Sequence, residues 1–167
     1  AIASMVAVGS MVGLAPTVGF VAKEAVLTSL LEGGSRPDAV IPLVGIVLGS
    51  VLTTAYGLRF IWGAFWTKRD ASGEKLPTTV WPDPPIGFLA SPVVLAALTL
   101  IAGFAAPLLD VAFSGYADTL PSAGGEGHPY HLALWHGWEP ALFLSLASIA
   151  LGAGLFAIGS LLFRKRF

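Results

Sequence analysis

The sequence predicts an all-α, polytopic integral membrane protein with four transmembrane helices, the first of them broken near Pro16. Three observations predict it. First, 55% of the 167 residues are hydrophobic and 11% are charged, with a mean hydropathy of +0.79, against about 25% charged residues in soluble domains. A soluble fold of this size has no way to hide so much apolar surface and keep a wettable exterior. Second, residues 1–22, 39–58, 84–109 and 140–163 carry no charge, and about 20 mostly apolar residues suffice to cross a bilayer. Third, positive charge alternates between the connections. Lys68, Arg69 and Lys75 lie in loop 67–85, and Arg164, Lys165 and Arg166 follow the last window. Loop 32–38 has only Arg36, and loop 111–131 has no Lys or Arg. Four crossings put both basic connections on one side, which the positive-inside rule makes cytoplasmic.

The elements follow in order. Spans are expected at about 1–31, 39–66, 86–110 and 132–163, with a cytoplasmic loop at 67–85 and an outer loop at 111–131. The first span contains Gly13, Pro16 and Gly19. A proline inside a helix removes a backbone donor and clashes with the preceding turn, so a kink or break is expected there. The second span ends in Trp62 and Trp66, and with Trp81 these bracket the basic loop; Trp135 and Trp138 lie where the fourth span is expected to begin. Tryptophans gather at membrane interfaces, and anchoring accounts for all five. Loop 67–85 turns from polar to proline-rich, and Gly124, Gly125 and Gly127 mark the outer loop as irregular. No internal repeat is evident and no soluble domain can be placed.

Composition also excludes. There is no cysteine, so disulfides, thiolate metal sites and cysteine nucleophiles are absent. A net charge of -1 offers no polybasic surface for nucleic acid. The chain opens on Ala1-Ile2-Ala3, directly in an apolar run, and closes on Arg164-Lys165-Arg166-Phe167; it is expected to be a piece of a longer protein.

Three charges stand out within predicted spans, Lys23, Glu24 and Arg59, while Asp110 and Glu139 fall toward span ends. By insertion scales each costs about 2.5–3.5 kcal/mol near the bilayer centre, and such residues usually face protein or a water-filled cavity and mark ion pathways. Lys23 and Glu24 sit either in a buried functional position or at the outer interface. The apolar run Ala25–Leu31 that follows favours burial, since a helix ending at Ala22 would leave that run in water. Adjacent helical residues point about 100° apart, so one of the two can face a channel while the other faces a neighbouring helix. A broken helix before a buried lysine frees carbonyls to meet ions or water, as at transporter ion sites; a plain packing kink is the alternative. Low dielectric disfavours an ammonium ion, which is why a lysine taken out of water suits proton exchange. Arg59 lies roughly 13 Å deeper along a helix than Lys68. It either snorkels to the inner interface or pairs with an intramembrane carboxylate. His128 belongs to the glycine-rich loop. His131 and His136 flank the expected start of the last span, where His136 and Glu139 share a face if the helix has begun. A histidine there suits the polar mouth of an ion path, or an interfacial structural role. Metal ligation needs more ligands than these.

At these residues a family resemblance enters. Gly13-Leu14-Ala15-Pro16-Thr17-Val18-Gly19-Phe20-Val21-Ala22-Lys23-Glu24 resembles the G-x-P-P-x-x-G-F-x-[SA]-K-[ED] motif of the antiporter-like subunits shared by complex I and the Mrp multisubunit cation/proton antiporters. Ala15 stands where that motif has its first proline, and Pro16 keeps the second. Thr54-Ala55-Tyr56 and Arg59 look like the family's following helix. Leu134-Trp135-His136-Gly137, continuing to Leu142-Phe143-Leu144-Ser145, is similar to a stretch of the large A subunit of Mrp antiporters. The resemblance places the chain at about the twelfth to fifteenth helices of one antiporter-like transmembrane domain. It implies that Lys23 is the lysine of the broken helix, exchanging protons at the outer end of a hydrophilic axis, with Glu24 as its acidic neighbour and His136 near the path. It implies an ion-translocating subunit of a Na+/H+ antiporter (K+, Li+ or Ca2+ being other candidate ions) in a bacterial or archaeal cell membrane, a secondary transporter rather than an enzyme. Its partners would be the other subunits of the complex and the lipid bilayer. No redox cofactor, bound metal or nucleic acid is implied. The alternative is the distal proton-pumping subunit of complex I or a related membrane hydrogenase. A membrane scaffold without an ion path is a third reading, under which Lys23 and Glu24 would be replaceable.

Overall fold

A computed structural model describes residues 1–32, 34, 36–66, 73–75, 84–117, 131–135 and 137–163. Among them every regular element is helical: α1 (Ile2–Val12), α2 (Val18–Glu32), α3 (Pro37–Phe65), α4 (Ile86–Phe104), α5 (Ala106–Ala117) and α6 (Pro140–Phe163). Three helices are long and apolar enough to cross a membrane: Pro37–Phe65, Ile86–Phe104 and Pro140–Leu162. The expected first span is two shorter helices. At 1.5 Å per residue α1 and α2 measure about 16 and 22 Å, so neither alone matches a hydrocarbon core of about 30 Å.

The break between them is built from local rules. Gly13 takes a left-handed conformation (φ 81°, ψ 51°) and ends α1. Its N–H bonds back to the Ser10 carbonyl at 3.1 Å, and the N–H of Leu14 reaches the Gly9 carbonyl at 2.8 Å. This pair of bonds is the Schellman ending that glycine favours, because the conformation carries no Cβ penalty there. Thr17 opens α2. Its hydroxyl donates to the Leu14 carbonyl at 2.7 Å and accepts from the N–H of Phe20 at 3.4 Å, which is the role of an N-cap.

Two expected spans change. The helix expected over 86–110 stops at Phe104 and resumes at Ala106, continuing to Ala117 into what the sequence reads as the outer loop. Pro107 is the reason, since it has no N–H to return to the preceding turn. The helix expected from 132 begins at Pro140 instead. Proline suits a first helical turn but drives the residue before it away from helical geometry, and Gly137 at φ 91° lies outside any helix. The apolar residues that suggest helix there do something else: Leu132 and Leu134 pack on a small core of Phe20, Val21, Ala106 and Leu142.

Helix α2 is central, packing on α1, α3, α4 and α6. The most extensive pairing is α3 with α6. There Gly152 lets the backbones close, since a Cβ on it would lie 2.5 Å from Thr54 Cβ and 2.6 Å from the Val51 carbonyl oxygen. Close approach at small residues is how helices associate without a hydrophobic driving force between them. Trp62, stacked on Trp66 with ring centroids 4.5 Å apart, sets its edge against Phe156 and ties the same pair of helices at the end of α3. Outward faces are apolar: Leu48, Leu52, Leu95, Leu98, Leu151 and Leu155 are all exposed, as a surface in lipid or against other membrane helices requires.

Gly152→Ala is expected to loosen the α3–α6 pair by about 1–3 kcal/mol, the usual cost of overpacking. Gly154→Ala, where added atoms meet open space, should leave the pair intact. The thermal midpoint of the detergent-solubilised protein, followed by size exclusion, tests this: it should fall for the first substitution and hold or rise for the second.

Candidate functional site

The site forms where the break in the first apolar segment meets α6. A helix leaves its last carbonyls without intrahelical partners. In α1 the Schellman bonds satisfy Gly9 and Ser10. The carbonyl of Val12, the final residue of α1, accepts instead from Nζ of Lys23 at 3.2 Å. A lysine ammonium is well placed there, because the C-terminal end of a helix carries partial negative charge. The same Nζ donates to the hydroxyl of Ser148 on α6, also at 3.2 Å. Ser148 is 1% exposed and donates its own proton to the Ser145 carbonyl at 2.7 Å. Lys23 thus joins three elements: it starts on α2, closes the end of α1 and reaches α6.

Close packing holds the break against its neighbours. A Cβ on Gly19 would run into the Ser10 carbonyl, and one on Gly103 into the Pro16 carbonyl. The break therefore lies directly against α1's last turn on one side and α4's end on the other. A hydroxyl pair, Ser10 with Thr99 at 3.1 Å, links α1 to α4 one turn before the break. At Gly13 a Cβ would lie 2.7 Å from Lys23 Cδ, so Gly13 both turns the chain and makes room for the lysine stem.

Lys23 and Glu24 separate as adjacent helical residues must. Lys23 is half-buried with its amine at the break, while Glu24 is 2% exposed on the buried stripe of α2 that also carries Phe20, Val21 and Leu27. Pro16, Gly13 and Gly19 lie in or beside the break, as their sequence positions suggest. Arg59 is not brought to this site. Its side chain is exposed on α3 beside Tyr56, Phe60 and Gly63, and it makes no ion pair with any described residue. His136 lies outside the described residues. The face it was expected to share with Glu139 lies outside them with it; Glu139 itself precedes the first turn of α6. His131 instead pairs with Asp110, Nδ1 to Oδ2 at 2.9 Å, and Asp110 Oδ1 accepts from the N–H of Leu132 at 2.8 Å. That carboxylate fastens the segment before α6 to α5.

Ser148 is the partner of Lys23 that sequence reasoning passes over. The signal is present in weak form: Ser145 and Ser148 are three residues apart in a largely apolar span, which places two hydroxyls on one helix face. Nothing in the linear order points that face at Lys23.

Similarity to known proteins runs along almost the whole chain. It is 29% identical over 163 residues to the A subunit of the Na(+)/H(+) antiporter of Alkalihalophilus pseudofirmus, covering 92% of this chain and 20% of that protein. It is 30% identical over 158 residues to the A/B subunit of the probable K(+)/H(+) antiporter of Rhizobium meliloti, covering 92% and 15%. With the A subunit of the Na(+)/H(+) antiporter of Bacillus subtilis it shares 27% over 160 residues, covering 89% and 20%. No family model matches. The chain spans a fifth or less of the length of these curated relatives. The resemblance to antiporter A subunits, carried in the sequence by three short stretches, extends over nearly all of this chain.

Gly19→Ala should force the break apart at Ser10 and carry the Val12 carbonyl away from Lys23. The expected result is protein that still inserts and assembles but exchanges cations for protons at least tenfold more slowly. Vesicle transport normalised to the amount of assembled protein measures it.

Proposed function

We propose that this chain is part of the ion-translocating subunit of a multisubunit monovalent cation/proton antiporter, and that Lys23 relays protons at the outer end of its hydrophilic axis. The observation that carries the reading is the Lys23 amine held between the Val12 carbonyl and Ser148, in a chain similar almost throughout to proteins named as A-type subunits of Na(+)/H(+) or K(+)/H(+) antiporters. A lysine with a compact, mobile ammonium group can gain and lose a proton where an arginine cannot. At a helix break it meets carbonyl acceptors that an unbroken helix would have used internally.

In this reading α1 and α2 make one interrupted crossing, and α3, α4 with α5, and α6 make three more. The basic residues of loop 67–85 and of the C-terminal flank then lie on the cytoplasmic side. Protons enter from outside, reach Lys23 and pass inward along polar residues supplied by the rest of the subunit, in exchange for cytoplasmic Na+ driven by the proton motive force. Glu24, buried one position along α2, is the acidic neighbour of the lysine in this reading. The partners are the other subunits of the antiporter, in a cell membrane.

The test is transport by the complete complex in everted vesicles, with Na+ and K+ added separately to an imposed pH gradient. Lys23→Ala should reduce cation-dependent dissipation of the gradient to the level of vesicles lacking the complex, while the assembled complex stays at its normal amount. Full transport by that variant would sink the reading.

A further inference from the structure

The hydroxyl of Ser148 stands in an unusual relation to the amine it touches. A serine hydroxyl has one proton to donate and two lone pairs to accept with. At Ser148 the proton goes to the Ser145 carbonyl, 2.7 Å away. A carbonyl cannot pass a proton on, so Ser148 is the end of a hydrogen-bond chain and not a link in a wire. What remains to it is acceptance, and a lone pair receives Lys23 Nζ at 3.2 Å. The other partner of Nζ, the Val12 carbonyl, is also an acceptor only. Two of the three ammonium donors are thereby committed to groups that can neither take the proton away nor return one.

No other charged group competes for this geometry along the helices packed on α2. Helices α1, α4 and α6 contain no titratable side chain, and Asp38, Tyr56 and Arg59 of α3 make no bond to Lys23. Apart from Glu24 beside it on α2, the amine is positioned by neutral acceptors. One comes from the broken helix and the other from a helix 125 residues further along the chain.

We propose that Ser148 is the positioning residue of the Lys23 amine: with its own proton fixed on the Ser145 carbonyl, its hydroxyl holds Nζ so that a single N–H direction is left for proton exchange. This rests on the reading of Lys23 as the proton-exchanging group. It adds that α6 takes part in that group's geometry, so a movement of α6 against α2 changes how the lysine presents its proton.

The experiment uses the complete complex in everted vesicles with Ser148→Ala, Ser148→Thr, Ser160→Ala and Lys23→Ala. Alanine at 148 adds no atoms and keeps the helix. Ser160 makes the same type of bond to the carbonyl three residues back, at 2.8 Å, on an exposed part of α6, and serves as the control. Loss of a hydrogen bond to a charged group predicts that Ser148→Ala lowers the maximal exchange rate about tenfold to a hundredfold. The half-saturating cation concentration and the amount of assembled complex should not change. Ser148→Thr should restore most of the rate, and Ser160→Ala should equal the unmodified protein. A rate within twofold of normal for Ser148→Ala, with Lys23→Ala inactive, overturns the role of Ser148 and leaves that of Lys23 standing. A fall in rate that only tracks a fall in assembled complex also overturns it, since that is packing. Activity in Lys23→Ala removes the reading on which the proposal rests.

Discussion

A backbone that leaves helical geometry among apolar helices must find every hydrogen bond it gives up inside the protein, because lipid supplies none. Much of the segment 13–17 answers to that constraint. Gly13 and Leu14 return their N–H groups to α1, and Thr17 caps α2 with its hydroxyl while that hydroxyl also donates to Leu14. The Val12 carbonyl is left for a side chain, and Lys23 takes it. The lysine that carries the candidate chemistry is therefore also part of what makes the break tolerable. Position and function are coupled: an amine that closes a helix end is an amine whose location is set to within a hydrogen bond.

Small residues extend that coupling to the rest of the bundle. Gly19 and Gly103 bring α1's last turn and the end of α4 against the break, and Gly152 lets α6 approach α3. Without the last contact α6 would stand further off, and Ser148 with it. Because α2 touches four of the other helices, the site is a junction of the fold and not a pocket in one of its faces. The apolar exterior around that junction fits a chain that spans a fifth or less of the length of its relatives, much of whose surface other helices or lipid would cover.

Much is legible in the linear order because the relevant physics is local. Charge-free windows long enough to span, a proline between glycines and two charges beyond it follow from bilayer thickness, from the missing proline N–H and from the cost of burying charge. The misreadings are local too. Apolar residues 132–135 suggest helix, yet Leu132 and Leu134 cover the core from a segment outside any helix, since apolar content reports burial as readily as helicity. Pro107 lies inside an expected span, and apolar content alone hides its effect, so α4 and α5 read as one element. For Arg59 residue type leaves snorkelling and an intramembrane partner both open; only the structure says which face of α3 it occupies, and that face is exposed.

By itself, then, the sequence determined that the chain is helical and apolar, that its first apolar segment breaks at Gly13–Pro16, and that Lys23 and Glu24 are the charges to explain. These depend on neighbours in the chain and on the general cost of taking polar groups out of water. Only the tertiary structure decided what Lys23 touches. Ser148 lies 125 residues away, and its hydroxyl meets the amine because small residues let α6 close on α3 beside the end of a broken helix. Which of the buried Ser145 and Ser148 does so depends on helix rotation and packing distance, and those exist only once the helices are assembled.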